Sequence, residues 1–343
     1  SLLYKTLVHS NSHNPESPEL FIIRNTISAH YANIHGSTLE GCFIGAFATV
    51  DLMNLHSCIV GEFSYVQVGE LFHRKIDPGT IWIKSPHFEF KYRFKKSILD
   101  NFVGVNDSHQ PRGVIYDFVR ARDQEFERLF EVMHLEPFEA PDSSAINRYA
   151  VIKGRTRIGE NVLVAQRSLL QNATMGDGSN AQENSYVIDS VLEGNCITAH
   201  GGKIINADVG QECFVGFNSF LNGGPDARIT IGEGCIVMPH TIINPSMPIQ
   251  IPSEHLIWGY IQSPEDLATQ TISLEKLAEV RESLTIGKMT FSGKGSVFIE
   301  SFKDRLKNIL SANGALYKDG ENRGHAQDDQ NISFNIIQPY RTG

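Results

Sequence analysis

"VGQECFVGFNSF" (209–220) and "IGEGCIVMPHTI" (231–242) each divide into two sixes that begin with an aliphatic residue: Val209, Val215, Ile231 and Val237. A small or polar residue usually comes second, and a small or compact residue often sits four places on. The same phrase runs back through Leu192-EGNCI, Leu170-QNATM, Val164-AQRSL and Ile158-GENVL. It appears again in the first part of the chain as Ile44-GAFAT, Val60-GEFSY and Val66-QVGEL. Six residues make one short strand and one turn. The aliphatic residue points inward and stacks on its equivalents above and below, while the small residue lets the backbone round a corner. No single coil can bury its own core, so the coils must stack. A β-sandwich would show longer alternating strands and looser spacing. The pattern predicts an all-β solenoid, a parallel β-helix.

The repeat resembles the hexapeptide-repeat superfamily over about Ile22–Ile83 and Ala150–Ile261. That resemblance implies a left-handed coil and assembly as a homotrimer. It specifies a fold and leaves the reaction open, because one scaffold carries many functions. The chain is expected to divide into a first β-helix segment with its lead-in (1–87), an insertion (88–147), a main β-helix (148–262) and a C-terminal helical extension with a polar tail (263–343).

Within the insertion the period changes. Phe88, Phe90, Tyr92 and Phe94 alternate with Glu89, Lys91, Arg93 and Lys95, which predicts a strand with one aromatic and one charged face. From Gly113 to His134 the period is helical, with Ile115, Phe118, Val119, Phe126, Leu129, Phe130 and Met133 on one face, until Pro137 and Pro141. Beyond the repeat, Ser273 is placed to cap a helix carrying Leu274, Leu277, Val280 and Leu284. A second helix is expected over Ile299–Leu310, then a polar loop over Lys318–Gln330. Trp258 is expected to cap the open end of the main β-helix.

Of the 343 residues, 41% are hydrophobic and 20% charged, within the range of globular proteins, and the net charge of -9 argues against nucleic acid as a partner. No apolar run reaches membrane-spanning length and no basic-then-apolar leader opens the sequence. The five cysteines (Cys42, Cys58, Cys196, Cys213, Cys235) form no CxxC pair, which points to reduced thiols and a cytoplasmic setting. Phosphate-binding loops of the GxxxxGK[ST] or GxGxxG kind and a GxSxG serine elbow are all missing.

The stretch "NAQENSYVIDSVLEGNCITAHGG" (180–202) resembles the metal-binding motif of the gamma-class carbonic anhydrases. Asn180 and Gln182 match its start, and Glu183 stands where the family has Asp. The family's three metal histidines, set across a subunit interface, fall here on Ile188, Asn195 and His200. A catalytic zinc needs three protein ligands, so no bound metal is expected, at His200 or elsewhere. Further histidines (His30, His35, His56, His73, His87) lie in or beside the first repeat, and none is read as forming the Gly-His…His-Gly spacing.

The favoured expectation is therefore a hexapeptide acyltransferase that moves an acyl group from acyl-CoA to a small hydroxyl or amine. His200 or His240 would act as general base. Gln182, Asn195, Asn218 and Asn222 are candidate substrate contacts, with Asn222 opening a Gly-Gly-Pro-Asp turn. A pocket holding His200 and Gln182 is expected near a subunit boundary. The alternatives are a carbonic-anhydrase-like protein with a degenerate or absent metal site, and a non-catalytic scaffold or small-molecule binder.

Overall fold

The computed structural model describes residues 1–10, 19–108, 110–131 and 138–327, with the backbone alone over 127–131. The hexapeptide phrase folds as two left-handed parallel β-helices, each with three sheets for faces. In the first, the faces begin with strands Leu2–Leu3, Leu7–His9 and Ile23–Arg24. In the second, they begin with Ala145–Ile146, Val151–Lys153 and Arg157–Ile158, and the last strand is Tyr260–Ile261. Pairing is in register from coil to coil, so Val164, Ala181, Thr198, Val215, Val237 and Ile257 form one column.

The interior matches the period. Val209, Val215, Ile231 and Val237 all point into the second β-helix and are buried. All five cysteines are reduced and buried; Cys42 and Cys58 lie in the first core, and Cys196, Cys213 and Cys235 in the second.

A third apolar cluster lies outside both coils and glues them together. The aromatic strand of the insertion forms over Phe88–Arg93. It pairs antiparallel with Thr80–Lys84 on one side and Met289–Gly293 on the other. The inserted helix spans Val114–Glu131 and buries Ile115, Val119 and Phe126. Its Phe118 ring meets Tyr186 and Phe220 of the second β-helix edge-on at 5.4 and 5.5 Å. The side chains of Leu129 and Phe130, and all of Met133, lie outside the described residues.

Two expectations need correction. Ser273 does cap a helix, its Oγ accepting from the Lys276 N–H, but that helix stops at Ala278. Leu284 instead pairs with Phe291 in the hairpin of Ser283–Ile286 and Met289–Gly293, whose second strand docks on the aromatic strand and leaves its other edge to Ser283–Ile286. Trp258 is buried outside the coil against Phe90, not over the open core. Ile257 and Ile261 close that core, with Leu267 packed on it. The C-terminal helix runs Gly295–Asn313 and lays Phe302 on Phe214. Lys318–Gln327 forms turns, and 328–330 fall outside the described residues. No described helix is long and apolar enough to cross a membrane.

Candidate functional site

His200 stands at a corner of the second β-helix, between the strands Ile197–Thr198 and Lys203–Ile205. The next residue turns through φ +72°, and a Cβ there would meet Asn218 Oδ1 at 2.3 Å, so only glycine fits at Gly201. This corner presses His200 against the second face of the first β-helix. There His9 and His35 are registered neighbours on adjacent strands. One ring nitrogen from each of His9, His35 and His200 lies within 4.8 Å of the others. The ring centroids of His9 and His35 are 4.5 and 5.7 Å from that of His200. Phe217, one coil on from His200, lies against both His200 and His35.

Carboxylates back two of the rings. Asp51 Oδ1 accepts from His35 Nδ1 at 2.6 Å, and Arg305 of the C-terminal helix reaches Asp51 Oδ2 at 2.9 Å. The Tyr65 hydroxyl also donates to Asp51. Burial opposes the charge on Asp51, but Arg305, His35 and Tyr65 outweigh it and hold the carboxyl well below its usual range. One coil below His200, Glu183 Oε2 lies 2.8 Å from His200 Nδ1, an ion-pair contact without the alignment of a hydrogen bond. Glu183 Oε1 is 3.7 Å from His9 Nε2. Here too burial opposes ionisation and the histidines outweigh it, holding Glu183 well below the usual carboxylate range.

The other expected site residues separate. His240 is fully buried, its Nε2 2.9 Å from Thr49 Oγ1, and burial pushes its pKa down to about 3, so it stays neutral outside the cluster. Asn218 Nδ2 donates across the junction to the Phe47 carbonyl at 3.0 Å. Asn222 Nδ2 donates to Asn244, and Asn195 occupies a different corner at φ 49°. Gln182 adjoins Glu183, and its backbone ties to Thr198 and Ser168.

A cavity of about 310 Å³ lies where the two coils and the inserted helix meet. Its lining includes Asn184, Gly201, Lys203 and Asn218, but neither His200 nor Gln182.

Sequence reading missed His9, Asp51, Tyr65 and Arg305, and took His35 for a stray. A signal existed for two histidines. Ser28-Ala29-His30 echoes Thr198-Ala199-His200, and His30 stands five residues before His35-Gly36, with Ala29 where the motif has Gly. His30 itself points elsewhere, its ring 4.2 Å from that of Tyr4. Nothing local marks Arg305, which is 254 residues from Asp51.

Residues 1–107 match a family model described as "Hexapeptide repeat including loop". A solved structure from Desulfovibrio desulfuricans, described as a "putative acetyltransferase", is 55% identical. The match covers 99% of this chain and 71% of that one, with a TM-score of 0.89. WeeI from Acinetobacter baumannii is 22% identical over 47% of this chain and 80% of its own, at a TM-score of 0.30. The acetyltransferase domain of PglB from Neisseria gonorrhoeae, in complex with acetyl coenzyme A, is 14% identical over 41% of this chain and 63% of its own, at a TM-score of 0.19. Curated proteins give no match. The chain belongs to the hexapeptide-repeat family, and its relatives are acetyltransferase-like.

Proposed function

We propose that His9, His35 and His200 hold a divalent metal ion and that the chain runs a metal-dependent hydration of the gamma-carbonic-anhydrase type. The carrying observation is the convergence of three histidine nitrogens from two β-helices, with Asp51 and Glu183 behind two of them. Three histidine nitrogens within 4.8 Å of one another match the number and type of protein ligands that a catalytic zinc would take. With Nδ1 of His35 and of His200 each turned to a carboxylate, Nε2 is the nitrogen each ring can give. Metal-binding histidines are oriented in this way by carboxylates on the far nitrogen. A bound Zn²⁺ supplies Lewis acidity and lets water ionise near neutral pH. Asp51 fixes the tautomer of His35, and Arg305 and Tyr65 hold Asp51 in place. Glu183 Oε2, 2.8 Å from His200 Nδ1, places a negative charge beside the second ring. The side chains of His35 and His200 are 8% and 4% exposed, which favours a substrate of a few atoms over a large acyl donor.

The test is elemental analysis of protein purified without chelator, together with stopped-flow CO₂ hydration. One ion per chain is expected, and its loss in His9→Ala and in His35→Ala. Full-length folded protein that takes up no stoichiometric zinc, cobalt or iron would sink this reading.

A second reading keeps acyl transfer, with His200 as base and Glu183 orienting it. It is favoured by the 2.8 Å His200–Glu183 contact and by the acetyltransferase description of the 55%-identical relative. It predicts acetyl-CoA binding and a fall in turnover of roughly 100-fold or more in His200→Ala, whatever the metal content.

A further inference from the structure

Lys203 has no role in the reaction above. It leaves the second face of its β-helix pointing outward, yet it is 2% exposed, because the first β-helix and the inserted helix close over it. Its Nζ donates to the Gly201 carbonyl and lies 5.8 and 5.9 Å from the ring centroids of Phe47 and Tyr186. Among the described residues no carboxylate pairs with it; burial alone acts on it and pushes its pKa down to about 7. The carboxylate that shares its cavity is already engaged. Asp123 Oδ2 lies 2.5 Å from Lys5 Nζ and accepts from the Tyr31 hydroxyl at 2.8 Å, and Arg167 is 3.8 Å from Oδ1. The cavity wall thus carries Lys5, Arg167 and Lys203 against one carboxylate.

A buried ammonium without a counter-ion is unfavourable by several kcal/mol unless something supplies the missing charge. We propose that this cavity binds a small organic carboxylate, its anionic end on Lys203 and its apolar body against Tyr31, Phe47 and Tyr186. The size of about 310 Å³ and the aromatic walls suit a compact ring or short chain. None of the three clustered histidines lines the cavity, so the site stands independently of the metal reading.

Binding must carry a proton signature. Of the groups facing Lys203, Lys5, Asp123 and Arg167 are tied to one another. Burial pushes Tyr31 and Tyr186 above the usual tyrosine range and His240 down to about 3. Lys203, pushed down to about 7 by burial, is the cavity group whose proton is expected to follow the ligand.

The experiment is calorimetric titration of the full chain with benzoate, in two buffers of different ionisation enthalpy. Saturable binding of one benzoate per chain is expected. Uptake should approach one proton near pH 8.5 and fall close to zero near pH 6, where Lys203 already carries its proton. Lys203→Met should weaken binding roughly tenfold or more, and binding should survive in His200→Ala. Should Lys203→Met fail to fold, proton uptake in the wild-type protein decides alone. No saturable binding up to about 10 mM benzoate, equal affinity in a folded Lys203→Met, or no proton uptake at pH 8.5 would each overturn the proposal.

Discussion

Glu183 and Lys203 show how the junction between the coils sets the chemistry of single residues. Both are enclosed, but Glu183 has histidines beside it, whereas among the described residues Lys203 has the Gly201 carbonyl and no carboxylate. On the metal reading, Glu183→Gln removes the carboxylate that lies 2.8 Å from one of the three rings. It should weaken metal affinity by roughly 10–100-fold while leaving the melting temperature of metal-stripped protein nearly unchanged. Competition with a chromophoric chelator measures this, and unchanged affinity would make Glu183 a bystander. Lys203 gives a stability prediction with a defined sign. Its folded value of about 7 lies below the ordinary 10.5, so between these values the unfolded chain holds a proton that the folded chain lacks. Wild-type stability therefore gains with rising pH across that window; the cost of burying the charge is full below about 7 and gone above 10.5. Lys203→Met should be more stable than wild type by on the order of 2–5 kcal/mol near pH 6. Urea titrations should show that gap closing toward pH 10.5; a gap that does not change with pH refutes the assignment.

At the scale of the elements, the period of six was legible because it is enforced locally. Every coil must put one aliphatic side chain inward, so the phrase recurs wherever the chain turns. Val215→Asp places an unpaired charge in that stack and should lower stability by roughly 4 kcal/mol or more, read from a denaturant midpoint. The histidine site was legible only in part, because a corner such as Thr198-Ala199-His200 does not record which face will meet it. His30 and His200 follow the same Ala at the same kind of corner, yet only His200 meets histidines. The third residues of the corresponding second-face strands differ as well: His9 and His35 in one coil, Ile188 and Ile205 in the other. Reading the motif within the second β-helix finds Ile188 and Asn195 at the other two ligand positions and so predicts no metal. His9 and His35 lie more than 160 residues earlier, in a stretch that only coil-to-coil packing brings near His200. Leu284 was misassigned for a related reason: a helical spacing gave way to a free sheet edge.

For the whole molecule, the consequence is that a junction usually drawn between subunits lies inside one chain. The inserted helix and the C-terminal helix both serve it. Phe118 covers Tyr186 and Phe220 on the second coil, and Arg305 reaches across to Asp51 on the first. All three histidines, and both carboxylates behind them, are therefore supplied in cis. A site shared between separate chains loses its ion when dilution drives the chains apart, since association is concentration-dependent. A site supplied in cis does not. Protein loaded with one equivalent of zinc should keep it through roughly 100-fold dilution and rapid gel filtration, whatever oligomer light scattering reports. The ion should also raise the melting temperature of the full chain as a single transition, because it joins the two β-helices. Stripping it should lower that transition without splitting it, since the shared apolar cluster still couples the coils. Zinc lost on dilution in step with a falling molecular mass would show that a second chain supplies a ligand, and the in-cis centre would have to be abandoned.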